Sequence, residues 1–92
     1  MKIEEAIKIT AEKMPLLKWG AEESLKGERE TIAFVDVVLH QYYETESQGK
    51  RLRKLFGSDV IDCLIKYART VNYIADLKLS HLQAIEGDIN LN

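Results

Sequence analysis

Apolar residues recur along most of this chain with the spacing of an α-helix. The strongest pattern lies in the last third, where a helix is predicted from Ser58 to Glu86 and ends at Gly87. On a helical wheel its apolar side chains fall within an arc of about 140°. They are Val60, Ile61, Leu64, Tyr67, Ala68, Val71, Ile74, Ala75, Leu79, Leu82 and Ile85. This pattern is typical of an amphipathic helix that buries one side.

Three further helices are predicted before it. Helical spacing of apolar residues indicates a helix from Lys2 to Lys13. Pro15 ends or kinks that helix, because proline lacks an amide hydrogen and clashes with the preceding turn. A second helix is predicted from Leu16 to Lys26, and a third from Glu28 to Gln48 with Gly49 as its C-cap.

The centre of the third segment, TIAFVDVVLH, is rich in β-branched residues and also resembles a strand. A helical wheel separates its apolar and polar residues better than strand alternation does. One face collects Ile32, Val35, Val38, Leu39 and Tyr42, and the other collects Ala33, Asp36, His40, Gln41 and Glu44. We therefore predict a helix here, followed by a short basic turn or helix from Lys50 to Phe56.

These elements predict an all-α fold, an antiparallel bundle of about four helices with a long C-terminal amphipathic helix. Ninety-two residues fit a single domain, residues 1–92, with 88–92 as a frayed tail. A helix from Ser58 to Glu86 would be about 43 Å long, which is more than so small a core covers unless it breaks near Lys78. We therefore expect Leu79, Leu82 and Ile85 to contact a protein partner or a second copy in a homodimer.

Charge and composition narrow the functional classes. The net charge of −2 argues against a general nucleic-acid-binding protein. Residues 1–48 hold six Lys/Arg and ten Asp/Glu (6 − 10 = −4), and residues 49–92 hold seven and five (7 − 5 = +2). One cysteine, Cys63, excludes an intrachain disulfide. With no signal-peptide core and no membrane-spanning apolar run, a cytoplasmic protein without membrane association is expected.

The net positive charge of residues 49–92 comes mainly from the KRLRK cluster, which is formed by Lys50, Arg51, Arg53 and Lys54. Such a cluster can be a solvated linker that pairs with Glu44, Glu46 and Asp59, a docking site for an acidic protein, or a site for nucleic-acid phosphates. A helix-turn-helix protein would present polar, base-reading residues in the next helix. Here that helix begins DVIDCLI, which is acidic and apolar.

No motif predicts an enzyme, a cofactor or a metal. Asp36 and His40 are four residues apart on a helix and can meet, but two ligands do not make a metal site. Small all-α nucleotide pyrophosphohydrolases hold magnesium with an E-x-x-E motif, and this chain contains none. Its acidic pairs are instead expected on solvated faces and at helix N-termini; they are Glu4/Glu5, Glu22/Glu23, Glu28/Glu30, Glu44/Glu46 and Asp59/Asp62.

Trp19 follows Pro15 and precedes Gly20, so it is a candidate interface residue, although a single tryptophan in so small a domain more often anchors the core. We therefore predict a small regulatory or inhibitory protein–protein interaction module, of the kind that a phage encodes to act on a host protein. The alternatives are a nucleic-acid-associated regulator using residues 50–54 and a small metal-dependent nucleotide hydrolase. The predicted partner-binding residues are Lys50, Arg51, Arg53, Lys54, Trp19, Leu79, Leu82 and Ile85.

Overall fold

A computed structural model describes residues 1–75 of the chain. The predictions for Lys78, for Leu79, Leu82 and Ile85, and for the tail 88–92 therefore lie outside the described residues. Residues 1–75 form five α-helices and one turn of 3₁₀-helix, without a strand. The helices are α1 (Ile3–Lys13), α2 (Lys18–Ser24), α3 (Glu28–Glu44), α4 (Glu46–Phe56) and α5 (Ser58–Ala75), and the 3₁₀ turn is Pro15–Leu17.

The predicted all-α fold is confirmed, and the helices pack around one apolar core. Every α-helix contributes to this core; the buried apolar residues are Ala6, Ile7, Ala21, Phe34, Val35, Val38, Leu39, Leu52, Phe56, Val60, Ile61 and Leu64. On α5 the predicted arc is confirmed as far as Val71, because each of its members up to that residue is buried or half-buried. The bundle has five helices in its described part rather than about four.

The predicted end of the first helix, just before Pro15, agrees with the structure. α1 ends at Lys13, and Pro15 begins the 3₁₀ turn, where its missing amide hydrogen leaves no bond unmade. The second predicted helix, Leu16 to Lys26, is therefore divided into the 3₁₀ turn and the shorter α2. The hydroxyl of Thr10, fully buried on α1, donates to the carbonyl oxygen of Ile7 at 2.7 Å, which satisfies it without a partner from another helix.

Helices α2 and α3 form an antiparallel hairpin. The Thr31 hydroxyl lies 2.6 Å from the carbonyl oxygen of Ser24 and 2.9 Å from that of Gly27, so its proton holds the turn between the helices. One turn further along each helix, the ring of Phe34 faces Gly20, where a Cβ atom would lie 3.4 Å from it. Residue numbers rise on α3 as they fall on α2, which fixes the antiparallel direction.

The predicted boundary between the third helix and the basic segment was wrong. α3 ends at Glu44 rather than Gln48, and Gly49 lies inside α4 rather than at a C-cap. The break occurs at Thr45, whose backbone is extended (φ −144°, ψ 160°) and whose hydroxyl oxygen accepts from the Gln48 amide at 3.0 Å. This is an N-cap, so a new helix starts three residues before the glycine.

Helices α2 and α4 lie on different sides of the bundle, as their packing partners indicate. α2 packs against α1 and α3, whereas α4 packs against α1, α3 and α5. Within α4 only Leu52 and Phe56 are buried, so the helix covers the core with a narrow apolar side. Gly57, with φ at 102°, ends α4 and turns the chain directly into α5.

Candidate interaction surfaces

The 3₁₀ turn and the α2–α3 hairpin that follows it carry exposed apolar residues, which we call the Trp19 surface and define as Leu16, Trp19 and Val37. Leu16 is 91% exposed, Trp19 is 72% exposed and Val37 is 51% exposed. Among the two open interpretations of Trp19, the structure therefore supports the exposed one: the indole is not a core anchor.

Local geometry explains why Trp19 points outward. Ala21 is buried and Gly20 faces the ring of Phe34, so this side of α2 lies against α3 and the core. Successive residues of an α-helix are about 100° apart, which turns Trp19 away from that contact. A tryptophan at position 20 would collide with the ring of Phe34. At position 19 the indole does not disturb the packing of α2 against α3.

The antiparallel register places Val37 at the level of Leu16, about one helical turn from the level of Trp19. Phe34 is opposite Gly20, and Val37 follows Phe34 by about one helical turn. Leu16 and Leu17 lie about one turn before Gly20, in the 3₁₀ turn that precedes α2. Leu17 packs against the core, and Leu16 is left in solvent beside Trp19.

Polar residues border this surface along α2. Lys18 and Glu22 are exposed. Glu23 forms an ion pair with Lys26, with Nζ 3.0 Å from Oε2. An apolar centre with a polar border is the usual composition of a protein interface.

The second candidate surface lies on α4. Lys50, Arg51 and Lys54 are all exposed and share its outward side, and we call them the α4 basic face. The Lys50 ammonium is 3.9 Å from the Glu46 carboxylate, and Arg51 Nε donates to Gln48 Oε1 at 3.3 Å. The Lys54 side chain makes no hydrogen bond or ion pair with the side chains described in residues 1–71.

Arg53, the fourth cation of the predicted cluster, is directed elsewhere. Its Nε and Nη2 atoms donate to the Tyr42 hydroxyl at 3.1 and 2.8 Å, and Nη1 donates to Asp62 Oδ1 at 3.1 Å. The bond to Tyr42, followed by the bond to Asp62, raises the pKa of Arg53. Arg53 therefore ties α4 to α3 and α5, and the predicted pairing of the cluster with Glu44 and Asp59 is absent among the described contacts.

The residues considered for catalysis do not converge in the described part of the chain. Asp36 and His40 are both exposed on α3, and no hydrogen bond or ion pair joins them there. Residues 1–75 contain no group of three or more His, Cys, Asp or Glu side chains that could hold a metal ion. The Cys63 thiol donates to the Met1 carbonyl oxygen at 3.5 Å, and burial raises its pKa.

Sequence reasoning named Trp19 as a candidate contact residue, which stays a prediction, and did not name the exposed Leu16 and Val37. Leu16 had a usable signal, because it precedes Trp19 by one helical turn just after a proline. No sequence signal identifies Val37, because its position relative to α2 depends on the register of the hairpin. Leu79, Leu82 and Ile85 lie beyond the described residues, as does His81.

Comparison of the chain with protein-family models, with curated proteins and with solved structures gives no match. In residues 1–75, every helix is too short or too polar to cross a membrane.

Proposed function

We propose that this protein is a regulatory or inhibitory protein–protein interaction module and that the Trp19 surface is its main contact. The observation that carries this proposal is the exposure of Leu16 and Trp19, which are three residues apart where the 3₁₀ turn continues into α2. Single exposed apolar residues are common on protein surfaces, but an adjacent leucine and tryptophan form a patch. Tryptophan is also the residue type most enriched among those that dominate binding energy.

Burial of the exposed apolar side chains would contribute to the binding of a partner. Full burial of an apolar side chain of this size contributes about 1.5–3 kcal/mol. The backbone beneath Trp19 is already fixed by the Thr31 hydrogen bond and the contact between Gly20 and Phe34. Because little backbone freedom is left to lose, ordering the backbone would add little to the cost of binding, which is then mainly the loss of rigid-body and side-chain freedom.

Affinity capture from an extract of the source cells tests this proposal with a matched pair of variants. Leu16→Ala and Leu25→Ala both remove an exposed leucine at an end of α2, but Leu25 lies outside the Trp19 surface. A protein captured by the wild type should be lost with Leu16→Ala and with Trp19→Ala, and retained with Leu25→Ala. Equal capture by all four proteins would contradict the proposal.

Trp19 also provides a direct optical signal, since it is the only tryptophan of the chain. Addition of the captured partner should shift its fluorescence to shorter wavelength and protect it from acrylamide. If the same change appears on concentrating the protein alone, the partner is a second copy, and sedimentation should show a dimer. An unchanged spectrum in a demonstrated complex would place the contact elsewhere.

A further inference from the structure

We propose that the α4 basic face is a second docking surface and that it takes a short acidic segment of a protein. This inference extends the proposed interaction role, but it does not depend on the Trp19 surface. It concerns Lys50, Arg51 and Lys54 only, because Arg53 is engaged with Tyr42 and Asp62.

The geometry of α4 gathers the three positive charges into one small area. Lys50 and Lys54 are four residues apart, and Arg51 and Lys54 are three apart, so all three are neighbours on the helix surface. The area extends about 6 Å along the helix axis. Carboxylates on adjacent turns of a helix, or on alternate residues of an extended chain, have a similar spacing of about 6–7 Å.

The three cations can form further ion pairs or hydrogen bonds with a partner. Lys54 is unpaired among the side chains described in residues 1–71, and Lys50 meets only an exposed carboxylate at 3.9 Å. The single contact of Arg51 leaves most of its guanidinium donors open to solvent. On the opposite side, the buried Leu52 and Phe56 hold the helix in place, so docking does not require the backbone to order.

A short acidic peptide fits this area better than a nucleic acid does. The sequence-independent affinity of DNA-binding proteins comes from many phosphate contacts, typically about 6–10. Three cations cannot supply that number, and the Glu46 carboxylate, 3.9 Å from the Lys50 ammonium, adds a negative charge to the edge of the face. Two or three carboxylates of a short, flexible peptide can pair with the cations while its other residues remain in solvent.

The position of α4 in the bundle keeps the two docking surfaces separate. α2 packs against α1 and α3, and α4 packs against α1, α3 and α5, so α1 and α3 lie between α2, which carries Trp19, and α4. One partner can therefore occupy each surface at the same time. In this arrangement the protein would connect an apolar site on one partner with an acidic site on another.

Fluorescence anisotropy with labelled hexaglutamate tests the proposal at low ionic strength. The triple variant Lys50→Gln, Arg51→Gln, Lys54→Gln should weaken peptide binding about tenfold, as expected for three exposed charge pairs. The matched control is Lys8→Gln, Lys18→Gln, Arg29→Gln, which removes two lysines and one arginine from other exposed positions and reaches the same net charge. The control should bind as the wild type does.

Three results would overturn the proposal: no binding of hexaglutamate to the wild type, equal weakening in both triple variants, or tighter binding of an oligothymidine of equal charge through the same three residues. The last result would identify a phosphate-binding surface instead. Trp19→Ala should bind hexaglutamate normally, so loss of the main contact and loss of the acidic site are measured independently. Circular dichroism of each variant checks that its helices are intact.

Discussion

A Cβ atom on Gly49 would lie 2.8 Å from the carbonyl oxygen of Tyr42. Gly49 is in the second turn of α4 and Tyr42 is in the last turn of α3, so this close approach joins two consecutive helices. The same two helices are connected by Arg53, one turn after Gly49, which donates to the Tyr42 hydroxyl. The absence of a side chain at Gly49 therefore allows α4 to fold back closely on the end of α3.

Replacing Gly49 with alanine should lower the free energy of unfolding by about 1–2 kcal/mol, because the added methyl group meets backbone rather than a movable side chain. Helix propensity alone predicts the opposite sign, a gain of about 0.5–1 kcal/mol. Urea unfolding followed by circular dichroism measures the difference. The control is Gly20→Ala, whose Cβ atom would lie 3.4 Å from the Phe34 ring, an ordinary contact. Gly20→Ala should be neutral or stabilising, and equal effects of the two substitutions would contradict this account.

The error in predicting the α3–α4 boundary has a clear local cause. Gly49 was interpreted as a C-cap because glycine often follows the last turn of a helix. The chain also contains Thr45 followed by Gln48, the spacing of a capping box that starts a helix. The Thr45 hydroxyl does accept from the Gln48 amide. The capping box at Thr45, rather than Gly49, therefore sets the boundary between α3 and α4.

Trp19→Ala should leave the free energy of unfolding within about 0.5 kcal/mol of the wild type, since the side chain is mainly in solvent. Leu52→Ala provides the contrast, because that side chain is fully buried and its loss should cost about 2–5 kcal/mol. Urea unfolding monitored by circular dichroism measures both. A large loss of stability in Trp19→Ala would show that the indole supports the core, and the Trp19 surface would then lose its central residue.

Arg53→Gln should lower the thermal midpoint of unfolding, whereas Lys54→Gln should not. Both substitutions remove one positive charge from α4, but only Arg53 bonds to α3 and α5. A double-mutant cycle with Tyr42→Phe should show that most of the loss depends on the Tyr42 hydroxyl. Additive effects of Arg53→Gln and Tyr42→Phe would mean that the two hydrogen bonds do not contribute to stability.

Stability should fall as the pH rises above 9.0, the ordinary pKa of a cysteine thiol. Burial raises the pKa of Cys63 above that value in the folded protein, so the unfolded chain releases the proton first. Between the two pKa values the unfolded state binds fewer protons, and raising the pH therefore favours unfolding. Burial, with smaller effects of Glu28 and Glu4, likewise raises the pKa of Tyr67 above 10.0.

Urea unfolding at pH values below and above 9.0 measures this dependence. In Cys63→Ala the decline should begin only near 10.0, where Tyr67 starts to contribute. The thiol should also react with iodoacetamide more slowly in the folded protein than in urea. A decline in stability that is the same with and without Cys63 would assign it to other groups.

The candidate surfaces were predicted only as far as local sequence determines them. The exposed positions of Lys50, Arg51 and Lys54 follow from helical periodicity once Leu52 and Phe56 are assigned to the core. The different role of Arg53 depends on Tyr42, eleven residues earlier, and therefore on the packing of α4 against α3. Exposure of Trp19 likewise depends on which side of α2 meets Phe34. Both are tertiary relationships that no local pattern encodes.

The junctions at Thr45 and Gly57 are each one residue long, so α3, α4 and α5 follow one another without slack. No one of these helices can move away from the bundle unless a neighbour moves with it or a helix end unwinds. Backbone amides across the three helices should therefore exchange with deuterium through a common opening event, as a single cooperative unit.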